Sequence, residues 1–284
     1  MKQTKRILIL ALTLVLTAGL LVSGCSKKKE DSKLVIGVSP APHADIVALV
    51  VDDLKAEGIT VEIREFSDYV TPNISLSDKD IDANYFQHIP YFAVENEAGK
   101  FGLEILGGIH IEPMALFSTK HASVADLPDG AEIMIPNDTT NEGRALLLLQ
   151  QLGLITIKEG VAGSATPKDI ADNPKNLKFT ELEAALIPEA YADADAAVIN
   201  GNYAIEHDLN PVSDSIAIED SSSPYVNVIA VKEGDAKRED LQKLLKALQS
   251  DKVKTYLEEK YNGAVVPAFQ SKEVADKLAE EYTP

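Results

Sequence analysis

The feature that most constrains this chain is a regular exchange between two hydrophobic periods, running from Lys33 almost to the end. "KLVIGV" is a short β-rich run, "HADIVALVVDDLKAEG" has helical spacing and stops at Gly58, and "ITVEIREF" alternates as a strand. Further strand candidates lie in "DIDANYF", "LEILGGIHIEPMALFS", "AEIMIP", "LKFTEL", "DAAVIN" and "SPYVNVIAV". Helical patterns separate them at "IPYFAVENEAGKFG", "NEGRALLLLQQLG", "IPEAYAD" and "NYAIEHD", and "REDLQKLLKALQSDKVKTYLEEKY" reads as two amphipathic helices. Repeated strand–helix alternation predicts an α/β fold with mostly parallel sheets. About 250 residues exceed what one hydrophobic core usually holds, so two lobes are expected. The runs "IEPMALFS" and "YVNVIAV" are expected to cross between them. Lobe one is then 34–114 and 226–284, and lobe two is 115–225.

The first 24 residues stand apart. Lys2, Lys5 and Arg6 precede an apolar run from Ile7 to Val22. That run is short for a membrane span and has the layout of a secretory signal. It ends in "LLVSGC", and Cys25 is the only cysteine in the chain, so it has no internal disulfide partner. A lone cysteine after small residues at a signal's end resembles a bacterial lipobox. The resemblance implies cleavage before Cys25, lipid on its sulfur and a lipid anchor at the extracytoplasmic face of the cell membrane. Residues 25–33 then read as the acylated start and a polar, flexible tether.

Without the three basic residues of the signal, 24 Lys+Arg face 45 Asp+Glu, a formal charge of −21. A chain this acidic repels nucleic acid and anionic membrane surfaces, so neither is expected as a partner. The sequence holds no G-x-G-x-x-G, P-loop, G-x-S-x-G or H-E-x-x-H pattern. A lipidated Cys25 leaves no thiol for catalysis or metal binding. The five histidines, His43, His88, His110, His121 and His207, form no i, i+4 pair. No enzyme, metal site or cofactor is therefore expected.

A binding site is the better expectation. Of three arginines past the signal, Arg144 has the most informative context, because "IPNDTTNEGR" reads as a buried strand that ends where a helix starts. Thr139 and Glu142 are spaced as a capping box. Free backbone N–H groups and the dipole's positive end favour an anion there, with Arg144 and Asn141 beside it. The alternative is a surface arginine paired with an acidic neighbour. Asn200 closes "DAAVIN" and Asn227 interrupts "YVNVIAV". A buried amide must be hydrogen-bonded, since leaving it unpaired costs about 1–3 kcal/mol. Their carbonyls suit an ammonium group, or they pin a loop or hinge. Sixteen aromatics include no Trp, yet Tyr85, Phe86, Tyr91 and Phe92 fall within eight residues around His88 and Pro90. Tyr69, in the turn-like "FSDYVTPN", adds to them. Such density fits plain core, but tyrosine hydroxyls and a histidine suit a half-exposed wall.

Taken together, "FSDYVTPN", "DANYFQHIPY", "IPNDTTNEGRALLLLQQLGL", "NPKNLKFTELEA", "AVIN" and "SPYVNVIAV" resemble the NlpA family of lipoproteins, in order and along essentially the whole chain past the signal. The resemblance implies a two-lobed, periplasmic-binding-protein-like α/β fold with two crossing strands. It implies a protein that captures methionine, L and possibly D, and passes it to the permease and ATPase subunits of an ABC importer. Another ligand, such as a methionine-containing dipeptide or another apolar amino acid, is the alternative. Carried over residue by residue, Arg144 would hold the carboxylate, and Asn200 and Asn227 the charged ends. Tyr69, Phe86, His88 and Tyr91 would line the side-chain pocket, with Asn141 as a neighbour of Arg144. Tyr85 and Phe92 remain packing residues behind it. Thr139 departs from the family's frequent proline at that helix start.

Overall fold

The computed structural model describes residues 32–220 and 224–283. The expected signal at 1–24, Cys25 and the tether up to residue 31 lie outside the described residues. Ser32 and Lys33, read as tether, instead open the first strand.

The chain starts with β1 (Ser32–Val38), α1 (Asp45–Ala56), β2 (Ile59–Glu65), α2 (Thr71–Ser77), β3 (Ala83–His88), α3 (Ile89–Gly99) and β4 (Leu103–Ile111). Helix α1 buries Ile46, Val47, Val50 and Leu54, one stripe at helical spacing. It ends at Gly58, whose φ of 82° is the left-handed conformation that glycine adopts without steric cost. After residues 112–114 come β5 (Ala115–Phe117), β6 (Glu132–Pro136), α4 (Thr139–Gln151), β7 (Thr156–Ile157), β8 (Ile170–Asp172) and β9 (Lys178–Leu182). Then follow α5 (Ile187–Ala190), β10 (Ala196–Ile199), α6 (Gly201–Glu206) and β11 (Ala217–Ile218). The chain closes with β12 (Val226–Lys232), α7 (Glu239–Leu248), α8 (Asp251–Tyr261), β13 (Val266–Gln270) and α9 (Lys272–Glu280).

The strands form two main sheets, ordered β13-β4-β12-β3-β1-β2 and β11-β5-β10-β6-β9. Each packs its own core. Leu34, Ile36, Val47, Tyr85 and Leu244 belong to the first, and Ile133, Ile135, Leu146, Leu149 and Val198 to the second. Two further clusters, one with Phe92, Ile105 and Val228 and one with Phe117 and Ile199, divide between the same two sheets, so two lobes follow from separate cores.

The sheets are mixed rather than mostly parallel. Pairs β1–β2, β1–β3, β6–β9 and β6–β10 are parallel, whereas β12 runs antiparallel to β3 and β4, and β5 antiparallel to β10 and β11. The cause is the double crossing, which sends the chain out and back along neighbouring paths. Val226 pairs with Ile111, Ile218 pairs with Ala115, and the Glu219 N–H donates to the Met114 carbonyl at 2.8 Å. The outward crossing lies within "IEPMALFS", as expected. The return crossing precedes "YVNVIAV", which is itself a strand paired on both sides within the first sheet. Strand β13 and helix α9 were not legible, because "VPAFQ" contains a proline and is only half-buried throughout.

Three chain segments leave their strands at carboxyl ends that face one region: β3 at His88, β6 before Asp138 and β10 before Asn200. Ligand sites of open α/β sheets lie at such ends.

Candidate functional site

The start of α4 builds one end of the site. Its N-cap is Asp138, with extended backbone (φ −82°, ψ 144°), and the Asp138 carboxylate accepts from the Asn141 N–H at 3.1 Å. The expected Thr139–Glu142 capping box is therefore corrected: aspartate outranks threonine as a cap and stands one residue earlier. Asn141 Nδ2 donates to both Asp138 oxygens at 2.9 and 3.0 Å. Its Oδ1 accepts from Asn200 Nδ2 at 2.8 Å and meets His88 Nε2 at 3.1 Å. Since His88 Nδ1 accepts from the Tyr91 N–H, its proton resides on Nε2 and points at Asn141. Burial, helped by the Arg144 charge, pushes His88 down to about 3, so the ring is neutral.

Arg144 is 3 % exposed and spans the site. Nε donates to both Glu219 oxygens at 3.2 Å, and Nη2 to Glu219 Oε2 at 2.5 Å and to the Glu112 carbonyl at 2.8 Å. None of these bonds uses Nη1. The guanidinium carbon sits 4.0 Å above the centre of the Tyr225 ring. Burial works against the charge of Arg144, and Glu219, together with Tyr225 and Glu112, more than offsets it. The arginine is thus paired with an acidic neighbour, yet buried rather than superficial.

The two asparagines differ. Asn200 Oδ1 is buried with no hydrogen-bond partner among the described residues. Asn227 Oδ1 instead faces His43 Nε2 at 3.1 Å, so the expectation that its carbonyl is open to an ammonium is corrected. His43 reaches Asn227 from the segment between β1 and α1. Asn227 pairs with His88 on β3 and with His110 on β4, which sets three polar side chains in one row across the sheet.

Aromatic rings form the opposite end. The register of β12 slips against β3 so that Val228 faces Gln87 and Ile229 faces Tyr85, leaving Phe86 without a partner. Such a bulge re-aims a side chain. The Tyr69 ring lies 6.0 Å from Phe86, 5.7 Å from Tyr91 and 4.9 Å from Tyr203. The Tyr91 hydroxyl donates to the Tyr69 carbonyl at 2.9 Å, which holds the turn against α3. Tyr69 Oη donates to Asn202 Oδ1 at 2.5 Å and Tyr203 Oη to the Ser67 carbonyl at 3.2 Å. With His88–Asn141, these bonds join the two lobes across the site.

The polar and the aromatic end line one pocket. The profile of the family described as NlpA lipoprotein matches residues 34–269. This chain belongs to the NlpA lipoprotein family. The NlpA protein is 40% identical to the methionine-binding lipoprotein MetQ of Bacillus subtilis, covering 94% of this chain and all of that one. The structure of a nutrient-binding protein from Burkholderia cenocepacia, bound to methionine, superposes with a TM-score of 0.79 at 42% identity, covering 83% of this chain and 100% of that one. Protein PG110 from Staphylococcus aureus superposes with a TM-score of 0.84 at 34% identity, over 88% and 99% of the two chains. A relative 39% identical to this NlpA chain is the membrane lipoprotein TpN32 of Treponema pallidum, and no helix among the described residues is long and apolar enough to cross a membrane.

All eight ligand candidates read from the NlpA chain, Tyr69, Phe86, His88, Tyr91, Asn141, Arg144, Asn200 and Asn227, line this one cavity. Tyr85 is sealed in the first core and Phe92 in a neighbouring cluster. The candidates read from the sequence leave out Gln87, Glu112, Gly201 and Asn202, which also line the wall. Gln87 carried a local signal: with Asn73 and Asn84 it forms a buried amide cluster, Asn73 Nδ2 to Gln87 Oε1 at 2.9 Å and Gln87 Nε2 to Asn84 Oδ1 at 3.0 Å. Three amides in "PN" and "DANYFQ" are more than a packed strand tolerates unpaired. Glu112 carried none, because one acid in so acidic a chain is unremarked.

Proposed function

We propose that this protein is an extracytoplasmic substrate-binding lipoprotein that captures methionine between its lobes and delivers it to a membrane ABC importer. The observation that carries the reading is the two-ended cavity. A buried guanidinium and an unpartnered amide oxygen stand at one end, and Tyr69, Phe86 and Tyr91 at the other. Methionine has matching ends, a zwitterionic head and a flexible thioether. In this reading Arg144 receives the carboxylate through Nη1, and Asn200 Oδ1 accepts from the ammonium. Asn227 offers its amide N–H₂ to the head group. Asn141 and His88 hold that frame, and the sulfur contacts the rings for roughly 0.3–1.5 kcal/mol per contact. The methionine held by the Burkholderia relative supports the same ligand.

Lobe one is assigned to 34–114 and 226–284, and lobe two to 115–225. Closure is a hinge motion at the paired crossings, driven by contacts to both lobes. Lipid on Cys25 provides the anchor at the outer face of the cell membrane, and permease and ATPase subunits receive the ligand. No reaction is assigned to the protein.

Isothermal titration of ligand-stripped protein with L- and D-methionine tests the reading. A saturable heat with either supports it. No heat with both, with another molecule identified by mass spectrometry in the purified protein, overturns it.

A further inference from the structure

Glu112 lies in the outward crossing, lines the cavity and is only 6 % exposed. A carboxylate this buried is costly unless donors meet its charge. Donors do meet it from the protein side. His110 Nε2 lies 2.7 Å from Oε1 and His43 Nε2 3.4 Å from the same atom, while the Asn202 N–H donates to Oε2 at 3.1 Å. His110 Nδ1 is engaged by the Tyr85 hydroxyl, which leaves Nε2–H to face Glu112. One proton on His43 Nε2 serves both Asn227 Oδ1 and Glu112.

Both rings are neutral, because burial pushes His43 to about 4 and His110 to about 3. They supply hydrogen bonds without supplying charge. Arg144 is already matched by Glu219. His43 Nε2, His110 Nε2 and Glu112 Oε1 lie within 4.8 Å of one another, and in this structure both nitrogens meet the carboxylate oxygen directly. Gly201 brings α6 in: a Cβ there would come 2.7 Å from the Glu112 Cβ, so only glycine lets the Asn202 N–H reach Oε2. What remains is a carboxyl group fixed by His43, His110 and α6 beside the cavity, whose neighbouring full positive charge, Arg144, is shared with Glu219. Burial drives its carboxyl above the usual range, and a cation brought in through the cavity reverses that push.

We propose that Glu112 is the ammonium-binding carboxylate of the cavity, so that the site takes only ligands with a free, positively charged α-amino group. The inference rests on the reading of the ligand as an amino acid and adds a charge requirement to it. Asn200 Oδ1 then serves as a second, neutral acceptor for the same group. N-acylated and desamino forms of the ligand are rejected, because they leave the carboxylate buried and unmatched.

The test compares methionine with 4-(methylsulfanyl)butanoate, which lacks only the amino group, by isothermal titration. The unaltered protein should prefer methionine by at least ~100-fold. In Glu112→Gln that preference should shrink by at least about tenfold, with the desamino acid changed by less than about threefold. If Glu112→Gln does not fold, judged by circular dichroism and thermal melting, Glu112→Asp replaces it. That variant keeps the charge but withdraws it by one methylene, and the preference should again shrink by about tenfold. Methionine binding with an unchanged preference in the folded variant overturns this inference alone. Absence of methionine binding to the unaltered protein overturns the ligand reading and the inference with it.

Discussion

At one end of the cavity Arg144, Asn141 and Asn200 are each tied by buried hydrogen bonds to a second side chain, and those to Glu219, Asp138 and His88. At the other end Tyr69, Phe86 and Tyr91 meet by tilted and edge-on rings at 5.7–6.0 Å. The polar end is a network in which each group has a specific partner, so removing one member strands another. The aromatic end sums many weak, short-range contacts, so removing one atom costs little beyond that atom. The contrast teaches that recognition of the head group is rigid and all-or-none, whereas the side-chain pocket is adaptable.

The sharpest way to break this contrast is Arg144→Ala. It strands the buried Glu219 carboxylate, and stability in urea should fall by ~3–5 kcal/mol with methionine binding lost. The pair Arg144→Met with Glu219→Leu removes both charges and should recover stability to within about 1 kcal/mol, without recovering binding. Binding by the double variant would move the head-group site elsewhere. Next in size is Asn200→Ala, which takes away the acceptor in the cavity wall that has no partner among the described residues. Calorimetry should give an affinity ~10–100-fold weaker, the range of a hydrogen bond to a charged group.

The aromatic end should respond less. Phe86→Leu should weaken methionine by only ~2–10-fold, the range of one ring contact. A loss as large as that of Asn200→Ala would place the two ends on the same footing.

A pH response tests the start of α4 apart from both ends of the cavity. Glu142, in the first turn of α4, has Oε1 buried without a partner among the described residues, and burial with the neighbouring Glu181 pushes it from 4.5 up to about 8. Its folded pKa is raised, so the folded form keeps a proton that the unfolded chain releases. The stability this contributes is full below about pH 4.5 and is lost as pH rises through about 8. The melting temperature should therefore decline between about pH 5 and pH 9, and Glu142→Gln should flatten that decline. An equal decline in both proteins would remove Glu142 as its source.

Much of this molecule was legible before its structure. The hydrophobic periods marked β1, α1, α4 and most strands correctly, because burial on one face leaves a periodic trace in the chain itself. The parallel bias and the identity of the return crossing were misread. Periodicity reports that a strand is buried, not which neighbour it pairs with. The cap of α4 was misplaced by one residue because Asp138 and Thr139 are both good caps, and only backbone angles choose between them.

For the site, the sequence by itself determined the residue types: a single well-placed arginine, amides in apolar strands and an aromatic cluster around His88. Their local contexts were unusual enough to be noticed one at a time. Only the tertiary structure decided how they are used. It turned the Asn227 carbonyl toward His43, matched Arg144 with Glu219, 75 residues away, and left Asn200 Oδ1 open. It also set Glu112 between two histidines from different parts of the chain and the start of α6. Pairings at such separations depend on strand register and on the return of the second crossing. Neither leaves a mark on the residues flanking a single position.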